Sequence, residues 1–353
     1  MRISLEENDD SVSAVFLQSR FWADFKAQSG WTYARYQARD EAVVGDHAAV
    51  APFALSVLER GLGAGLRFAY VPHGPDADVP YDSRSALLSS IAEELRSRVS
   101  STCVFVRFDP GWYEADTGSE ILRPTFCRPL VKASDVQPPD SVVLGIAAAD
   151  DELLSAMKPK WRYNIRLAEK KGVTVASEGI ESLGDFYDLY RVTASRDHIA
   201  IHPRSYYERL LGMEPVNAAE PRPDLRLWVA RFEGKALAAI ITVYYGSEAT
   251  YLYGASSDEH RNLMPAYALQ WSAIRAARDA GCSGYDFYGI PPADDAAHAM
   301  SGLYRFKTGF GGDIRHYAGA WDYVLRPARY AAFRAAERAR LFWHKTVRKK
   351  LRR

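Results

Sequence analysis

The run Thr250-Tyr251-Leu252-Tyr253-Gly254-Ala255, then a turn, a helical stretch from Ala266 to Ala280 and Gly284-Tyr285-Asp286-Phe287-Tyr288-Gly289, decides the fold. Its ends have the short, aromatic-rich character of strands, and the middle repeats apolar residues at helical spacing until Gly281 stops it. Upstream, Leu225–Phe232 and Ala236–Tyr245 add two more strands. The first half of the chain runs in the same order. Its strands are Thr32–Gln37, Ala48–Leu58 and Leu66–Val71, and its turn is Pro72-His73-Gly74-Pro75. A helix from Ser83 through Val99 follows, and the buried strand Cys103–Asp109 delivers Asp109 at its C-terminal end.

Antiparallel strands, a helix and then a strand are the order of an acyltransferase fold of the N-acetyltransferase (GNAT) type, here present twice. No residue-level identity joins the halves, so the repeat rests on element order alone. The expected class is α+β: two GNAT-like domains, 1–149 and 150–317, with mixed, mostly antiparallel sheets and flanking helices. A chain of 353 residues exceeds what one ordinary core fills, which suits that division. With 48% hydrophobic and 25% charged residues and a net charge of +1, it reads as a soluble globular protein with no overall field directed at nucleic acid or membrane. Cys103, Cys127 and Cys282 are far apart and make no disulfide framework, which fits a reducing compartment. Met1 to Asp10 is polar and acidic with no apolar signal region, and no run approaches a membrane span, so a cytoplasmic location is expected.

Val15–Gln28 reads as one amphipathic helix, with Trp22 and Phe25 inward and Lys26 at its edge. The Pro-rich segment Ala133–Asp140 and the strand Val142–Ile146 lead into the second half. Asp150 or Asp151 caps a helix that Pro159 interrupts and that ends near Gly172. Trp161, Ile165 and Ala168 form its buried stripe, while Arg162, Arg166 and Lys170 form a cationic ridge at i, i+4 and i+8, next to Lys171. Further helices start at Glu181 and Pro203. A last strand, Ile314–Leu325, precedes a tail in which many basic residues are set against one acid, Glu337.

Gly302-Leu303-Tyr304-Arg305-Phe306-Lys307-Thr308-Gly309-Phe310-Gly311-Gly312 carries the most chemistry. It predicts a short helix with Leu303, Phe306 and Phe310 on one side, Lys307 off that stripe, and glycines ending it in a tight, bare turn. A lysine beside exposed backbone N–H groups, behind an aromatic plug, can hold an anion or a developing oxyanion. On these residues alone a capped helix with a solvated lysine is the plainer reading. Tyr251 and Tyr253 alternate along their strand and so share a face. Asp109 and Asp286 sit at strand ends, where substrate sites open and a carboxylate can orient an attacking amine. The loops Ser256–Asn262 and His73–Asp76 lack the glycine spacing with which acetyl-CoA enzymes cradle pyrophosphate, and both carry acids. His198 and His202 are four apart, yet no third ligand is evident and Pro203 breaks the helix, so no metal site is expected. No Gly-x-Ser-x-Gly elbow or P-loop occurs.

Four stretches, Phe21-Trp22-Ala23-Asp24-Phe25-Lys26, Trp161 to Val173, Tyr285 to Ile290 and Gly302 to Gly312, together resemble the FemABX family. These are the aminoacyl-tRNA-dependent transferases that build peptidoglycan cross-bridges. The resemblance implies two N-acetyltransferase-like domains in the compact FemX-like form, without a coiled-coil arm. It also implies that 318–353, a strand and a basic helix, return to the first domain. By the same resemblance Lys26 contacts the phosphates of the peptidoglycan precursor, Tyr206, Tyr251 and Tyr253 line the substrate cavity, and Asp109 lies close to the reaction centre. Phe306 and Lys307 would lie near the transferred acyl group. Where FemX-like relatives have a second phosphate-binding arginine, this chain has His202, with Arg204 two residues on. A cavity tyrosine expected near Val104 is missing.

The implied reaction is aminoacyl transfer. An amine of the stem peptide, in UDP-MurNAc-pentapeptide or lipid II, attacks the ester carbonyl of an aminoacyl-tRNA, which is a co-substrate; no cofactor is expected. The ester is already activated, so no protein nucleophile is needed, and the site must supply placement and charge stabilisation. Asp109 would orient or deprotonate the ammonium, and Lys307 would stabilise the oxyanion or an adjacent tRNA phosphate. Arg162, Arg166, Lys170, Lys171 and the basic tail are candidates for the tRNA acceptor arm or for anionic lipid. Phe342, Trp343, Val347 and Leu351 among the tail's cations suit an interfacial helix at the inner membrane face. The alternatives are an acyl-CoA-dependent N-acyltransferase on the same fold, against which the glycine-poor loops argue, and an inactive tRNA- or lipid-binding relative.

Overall fold

Two mixed sheets organise the chain, and in each a helical crossover joins one parallel pair of strands. The computed structural model describes residues 1–41, 50–115, 121–214 and 220–342. In chain order the elements begin β1 (Ile3–Glu7), α1 (Arg20–Ala27), β2 (Thr32–Asp40), β3 (Phe53–Gly63), β4 (Leu66–Pro72), α2 (Tyr81–Leu95) and β5 (Cys103–Asp109). Next come β6 (Tyr113–Ala115), β7 (Leu130–Lys132), β8 (Asp140–Gly145), α3 (Asp150–Ala156), α4 (Pro159–Lys170) and β9 (Thr174–Glu178). They continue with α5 (Leu183–Asp197), α6 (Arg204–Gly212), β10 (Asp224–Phe232), β11 (Lys235–Tyr245), β12 (Glu248–Ser256), α7 (Pro265–Asp279) and β13 (Gly284–Asp286). The described chain closes with α8 (Ser301–Thr308), β14 (Asp313–Tyr317), β15 (Trp321–Val324) and α9 (Pro327–Phe342).

The first sheet has the order β1-β2-β3-β4-β5-β15-β7 and the second β6-β14-β8-β13-β12-β11-β10-β9. β4 and β5 are parallel across α2, and β12 and β13 are parallel across α7; the other pairings described are antiparallel. The fold is therefore α+β with two GNAT-like halves. β6 and β8, although they precede residue 150, pair in the second sheet, while β15 pairs with β5 and β7 in the first.

Three cores hold this together. One lies between the first sheet and α2, and another between the second sheet and the helices α4 and α7. Ala268, Ala273 and Ala277 let α7 sit close on its strands, with Leu269 and Ile274 filling the seam. The third core takes residues from both sheets, among them Leu58, Tyr70, Val229 and Ile241, and buries α1, α5 and α6 between them. The halves thus share a core, and much of it is aromatic.

Several expectations need correction. Val15–Gln28 is not one helix: Phe16–Gln18 makes a tight turn, Ser19 is extended, and its hydroxyl accepts the Trp22 N–H at 3.1 Å to start α1. β3 begins at Phe53, and the expected start at Ala48 lies outside the described residues. The strand through Asp286 stops there, because the Asp286 carboxylate accepts the Tyr288 N–H at 2.7 Å and turns the chain. The single strand expected over Ile314–Leu325 is two strands in different sheets. They separate at Gly319, whose φ of 63° admits the turn, and Asp135 accepts the Ala320 N–H at 2.9 Å just beyond it. On α9, Tyr330 and Phe333 pack on Phe105 with ring centroids at 5.4 and 5.0 Å. Trp343, Val347 and Leu351 lie outside the described residues. Among the described residues, no helix is long and apolar enough to cross a membrane.

A buried ion pair fastens the halves. Arg35 on β2 is fully buried and meets Glu220, ahead of β10, at 2.8 Å. It also donates to the Asp9 carbonyl at 2.8 Å, and Glu220 accepts the Arg20 N–H at the start of α1 at 2.7 Å. Arg35→Met strips the Glu220 carboxylate of its partner inside the protein and should lower unfolding free energy by roughly 3–5 kcal/mol. The readout is the urea midpoint, and an unchanged midpoint would mean that the pair does not fasten the halves.

Candidate functional site

Helix α8 is fixed by its aromatic side and by its end. Phe306 packs edge-on against Tyr267 (5.2 Å between centroids) and Phe310 (5.4 Å), and Phe310 stacks on Phe287 at 5.2 Å. α4 holds the other end: the Trp161 indole N–H donates to the Phe306 carbonyl at 2.9 Å, and the Lys158 N–H donates to the Gly309 carbonyl at 3.0 Å. A side chain at Gly309 would overlap the Trp161 ring, and one at Gly312 (φ 93°) would come within 2.6 Å of the Val143 carbonyl oxygen. These contacts turn Lys307 inward, so that it is 6% exposed rather than solvated.

Lys307 Nζ donates to the carbonyls of Tyr288 at 2.6 Å and Gly289 at 2.9 Å and lies 5.0 Å from the Tyr251 ring centroid. The expected neighbourhood of backbone N–H groups is replaced by carbonyls, which is what a buried cation requires. Two of its three ammonium protons are taken. Burial pulls the ammonium down to about 7, with the charge of Asp286 acting against that fall.

Tyr288 has φ 54°, a left-handed conformation uncommon for a bulky residue. Its hydroxyl donates to the Gln137 side-chain carbonyl. Gln137 Nε2 donates to the Tyr70 hydroxyl at 3.1 Å, and that hydroxyl donates to Asp109 Oδ2 at 3.1 Å. The Gln137 backbone N–H reaches the same oxygen at 2.9 Å. Asp109 is 3% exposed, and burial pushes its carboxyl up to about 6, against the pull of the hydrogen bonds from Gln137 and Tyr70.

The three tyrosines join this network by different routes. β12 carries a bulge, since Ile241 pairs with Tyr253 and Thr242 with Tyr251, leaving Leu252 as the extra residue. The shared face expected for Tyr251 and Tyr253 is lost: Tyr251 packs with the α7 core and Tyr253 with the shared core. The Tyr253 and Tyr206 hydroxyls lie 3.1 Å apart, and His202 stacks on Tyr206 at 3.9 Å. Burial, then the charge of Lys26, holds the His202 imidazole below its usual range. Lys26 Nζ lies 5.3 Å from Trp22 and 5.5 Å from Trp31, with Arg60 5.4 Å over the same Trp31 ring. Burial, and next Arg60, lowers the Lys26 ammonium. Trp31 is 6.2 Å from Tyr70, which closes the path from Lys26 to Asp109.

Lys26, His202, Tyr206, Tyr253, Tyr251, Asp109, Phe306 and Lys307 thus belong to one connected network of contacts. Arg204 does not join it; it pairs with Glu208 at 3.0 Å on the exposed side of α6. Arg162 leaves the expected cationic ridge, because its guanidinium donates to the carbonyls of Leu154, Ser155 and Met157 and caps α3. Arg166, Lys170 and Lys171 are exposed. His198 ends α5, apart from the stacking that engages His202. Tyr70, Gln137, Tyr288 and Arg60 escaped the sequence reading. Of these, Tyr288 alone stood in a stretch that carries the family resemblance.

The FemAB family model matches residues 129–213 and 230–338. Lipid II:glycine glycyltransferase from Staphylococcus aureus, in strains USA300 and COL, is 25% identical over 404 residues, covering 94% of this chain and 94% of the relative. The crystal structure of FemX matches with a TM-score of 0.70 at 21% identity, covering 90% of this chain and 94% of that one.

The buried ammonium has a signature in stability. Folded, Lys307 releases its proton near pH 7, whereas the unfolded chain keeps it to about 10.5. Between these values the unfolded state binds more protons, so stability rises with pH, and below about 7 the whole penalty is present. Relative to the wild type, Lys307→Met should therefore be more favourable at about pH 6 than at about pH 10, by roughly 2–5 kcal/mol in urea unfolding. A pH-independent difference would place this ammonium at its ordinary value.

Proposed function

Because the chain belongs to the FemAB family, we propose that it is an aminoacyltransferase of peptidoglycan bridge formation. It moves an amino acid from aminoacyl-tRNA to the side-chain amine of the precursor stem peptide, carried by UDP-MurNAc-pentapeptide or lipid II. Support comes from the lipid II:glycine glycyltransferases that match over nearly their whole length. The observation that carries the reading is the unbroken chain of contacts from Lys26 past Asp109 to Lys307.

In this reading Lys26, with Arg60 across Trp31, takes the precursor phosphates at the mouth of the cleft, beside His202. Tyr206, Tyr251 and Tyr253 line the path inward. Asp109 receives the ammonium and accepts its proton, so that the amine nitrogen attacks the ester carbonyl. The C–N bond forms, the bond to the ribose oxygen breaks, and the second proton that the attacking nitrogen sheds goes to that leaving oxygen. Lys307, in its protonated form, offers its remaining N–H to the oxyanion, and Phe306 keeps the helix that carries it in place. Arg166, Lys170 and Lys171 are the part of the basic face left to meet the acceptor arm. The work is placed in the cytoplasm, with peripheral contact at the membrane when the acceptor is lipid-linked.

Incubating the protein with charged tRNA pools and each precursor should yield a precursor heavier by one or more aminoacyl groups, read by mass spectrometry. Acetyl-CoA in place of charged tRNA should yield none. Lys307→Met should lower the transfer rate by about 10²–10³ at saturating substrates; near-normal transfer would remove Lys307 from the chemistry.

A further inference from the structure

We propose that Tyr70 and Gln137 are positioning residues for the transfer: with Tyr288 they form a one-way relay of hydrogen-bond donors that aims the Asp109 carboxylate and ties it to Lys307. The inference rests on the reading above for its functional meaning, but its physical content stands in the resting protein.

The direction follows from donors and acceptors. An ionised carboxylate only accepts, so the Tyr70 hydroxyl, 3.1 Å from Asp109 Oδ2, must give it the proton. The Tyr70 oxygen is then an acceptor, which fixes the Gln137 amide with Nε2 facing it at 3.1 Å and Oε1 facing the Tyr288 hydroxyl. Reversing any member would set the Tyr70 lone pairs against a charged oxygen. Burial protects the order, for Tyr70 is 4% exposed and Asp109 3%. Among the described residues both hydrogen bonds to this carboxylate land on Oδ2, so Oδ1 is the oxygen left for an incoming ammonium.

Tyr288 makes this more than a local brace. Its left-handed backbone sends the carbonyl to Lys307 at 2.6 Å while its hydroxyl reaches Gln137. The relay also crosses the molecule. Tyr70 and Asp109 belong to β4 and β5 of the first sheet, Gln137 to the segment before β8, and Tyr288 to the turn after β13. The base and the cation, contributed by different halves, are registered to one another through three side chains.

The test follows the Asp109 carboxyl directly, by ¹³C NMR titration of protein labelled at aspartate, with Asp109→Asn assigning the signal. The groups facing this carboxyl are Tyr70, Gln137, Asp135 and Lys132, with Tyr288 behind Gln137. Tyr70→Phe removes a donor to the charged form and should raise the midpoint by about one pH unit. Gln137→Met should raise it less, and each shift should be matched by the acid limb of kcat/KM, while the alkaline limb, which follows the Lys307 ammonium, stays where it is in the wild type. Unmoved midpoints in both variants, or equal losses at every pH, would overturn the relay. Should Tyr70→Phe fail to fold, Gln137→Met carries the same measurement. If the midpoints move but the wild type transfers nothing from charged tRNA, the relay stands and the proposed function falls.

Discussion

A lysine ammonium buried to 6% exposure has lost nearly all its water, and the architecture around α8 follows from replacing that water. Two backbone carbonyls do most of it, with the Tyr251 ring on another side and the charge of Asp286 nearby. To present one of those carbonyls, Tyr288 adopts a left-handed backbone that costs on the order of 1–3 kcal/mol. The surroundings that sustain it are identifiable: Asp286 accepts the Tyr288 N–H, and the Ser141 hydroxyl donates to the same carboxylate oxygen. Trp161, Phe306 and Phe310 then prevent α8 from rotating the lysine back to solvent. Each of these groups stabilises an arrangement that the chain would otherwise avoid.

The repeated topology gives the protein two carboxylates in corresponding places, Asp109 at the end of β5 and Asp286 at the end of β13. Their environments have separated their roles. Asp286 is a turn-capping group and a counter-charge, engaged by Ser141 and Tyr288. Asp109 is engaged on one oxygen, and its carboxyl is pushed up toward neutrality. Tyr70, which gives Asp109 a hydrogen bond, belongs to the core that the two halves share.

Much of this was legible in the residues. β10, β11, β12 and α7 appear within a residue or two of where periodicity places them, because each alternates or repeats without interruption over a long stretch. β5 ends on Asp109 as read. The failures have physical causes. Ile314–Leu325 is continuous in strand character, and only the three-dimensional fit of Gly319 against Asp135 decides that it splits between sheets. The Leu252 bulge shows no signature in Thr250–Ala255, so the alternation rule misplaced a tyrosine. Arg162 has the spacing of a surface cation, but its reach back to α3 depends on the break at Pro159. Gln137 sits in a Pro-rich connector where composition predicts nothing beyond a loop, and its importance comes wholly from what it lies between.

Burial perturbs Asp109 upward and Lys307 downward, the two directions the proposed division of labour requires. The cleft tyrosines, Tyr70, Tyr251, Tyr253 and Tyr288, are all driven upward by burial and so remain neutral donors across the working range. Asp109, at about 6, and Lys307, at about 7, are brought close to neutrality. A carboxylate at Asp109 and an ammonium at Lys307 are the two states the proposed transfer requires, and both have to be populated in one pH interval. Substrate widens that interval, because an ammonium beside Asp109 favours the carboxylate and an oxyanion beside Lys307 favours the ammonium. Burial, which alone would silence both groups, instead brings them to values where one can receive a proton while the other holds a negative charge.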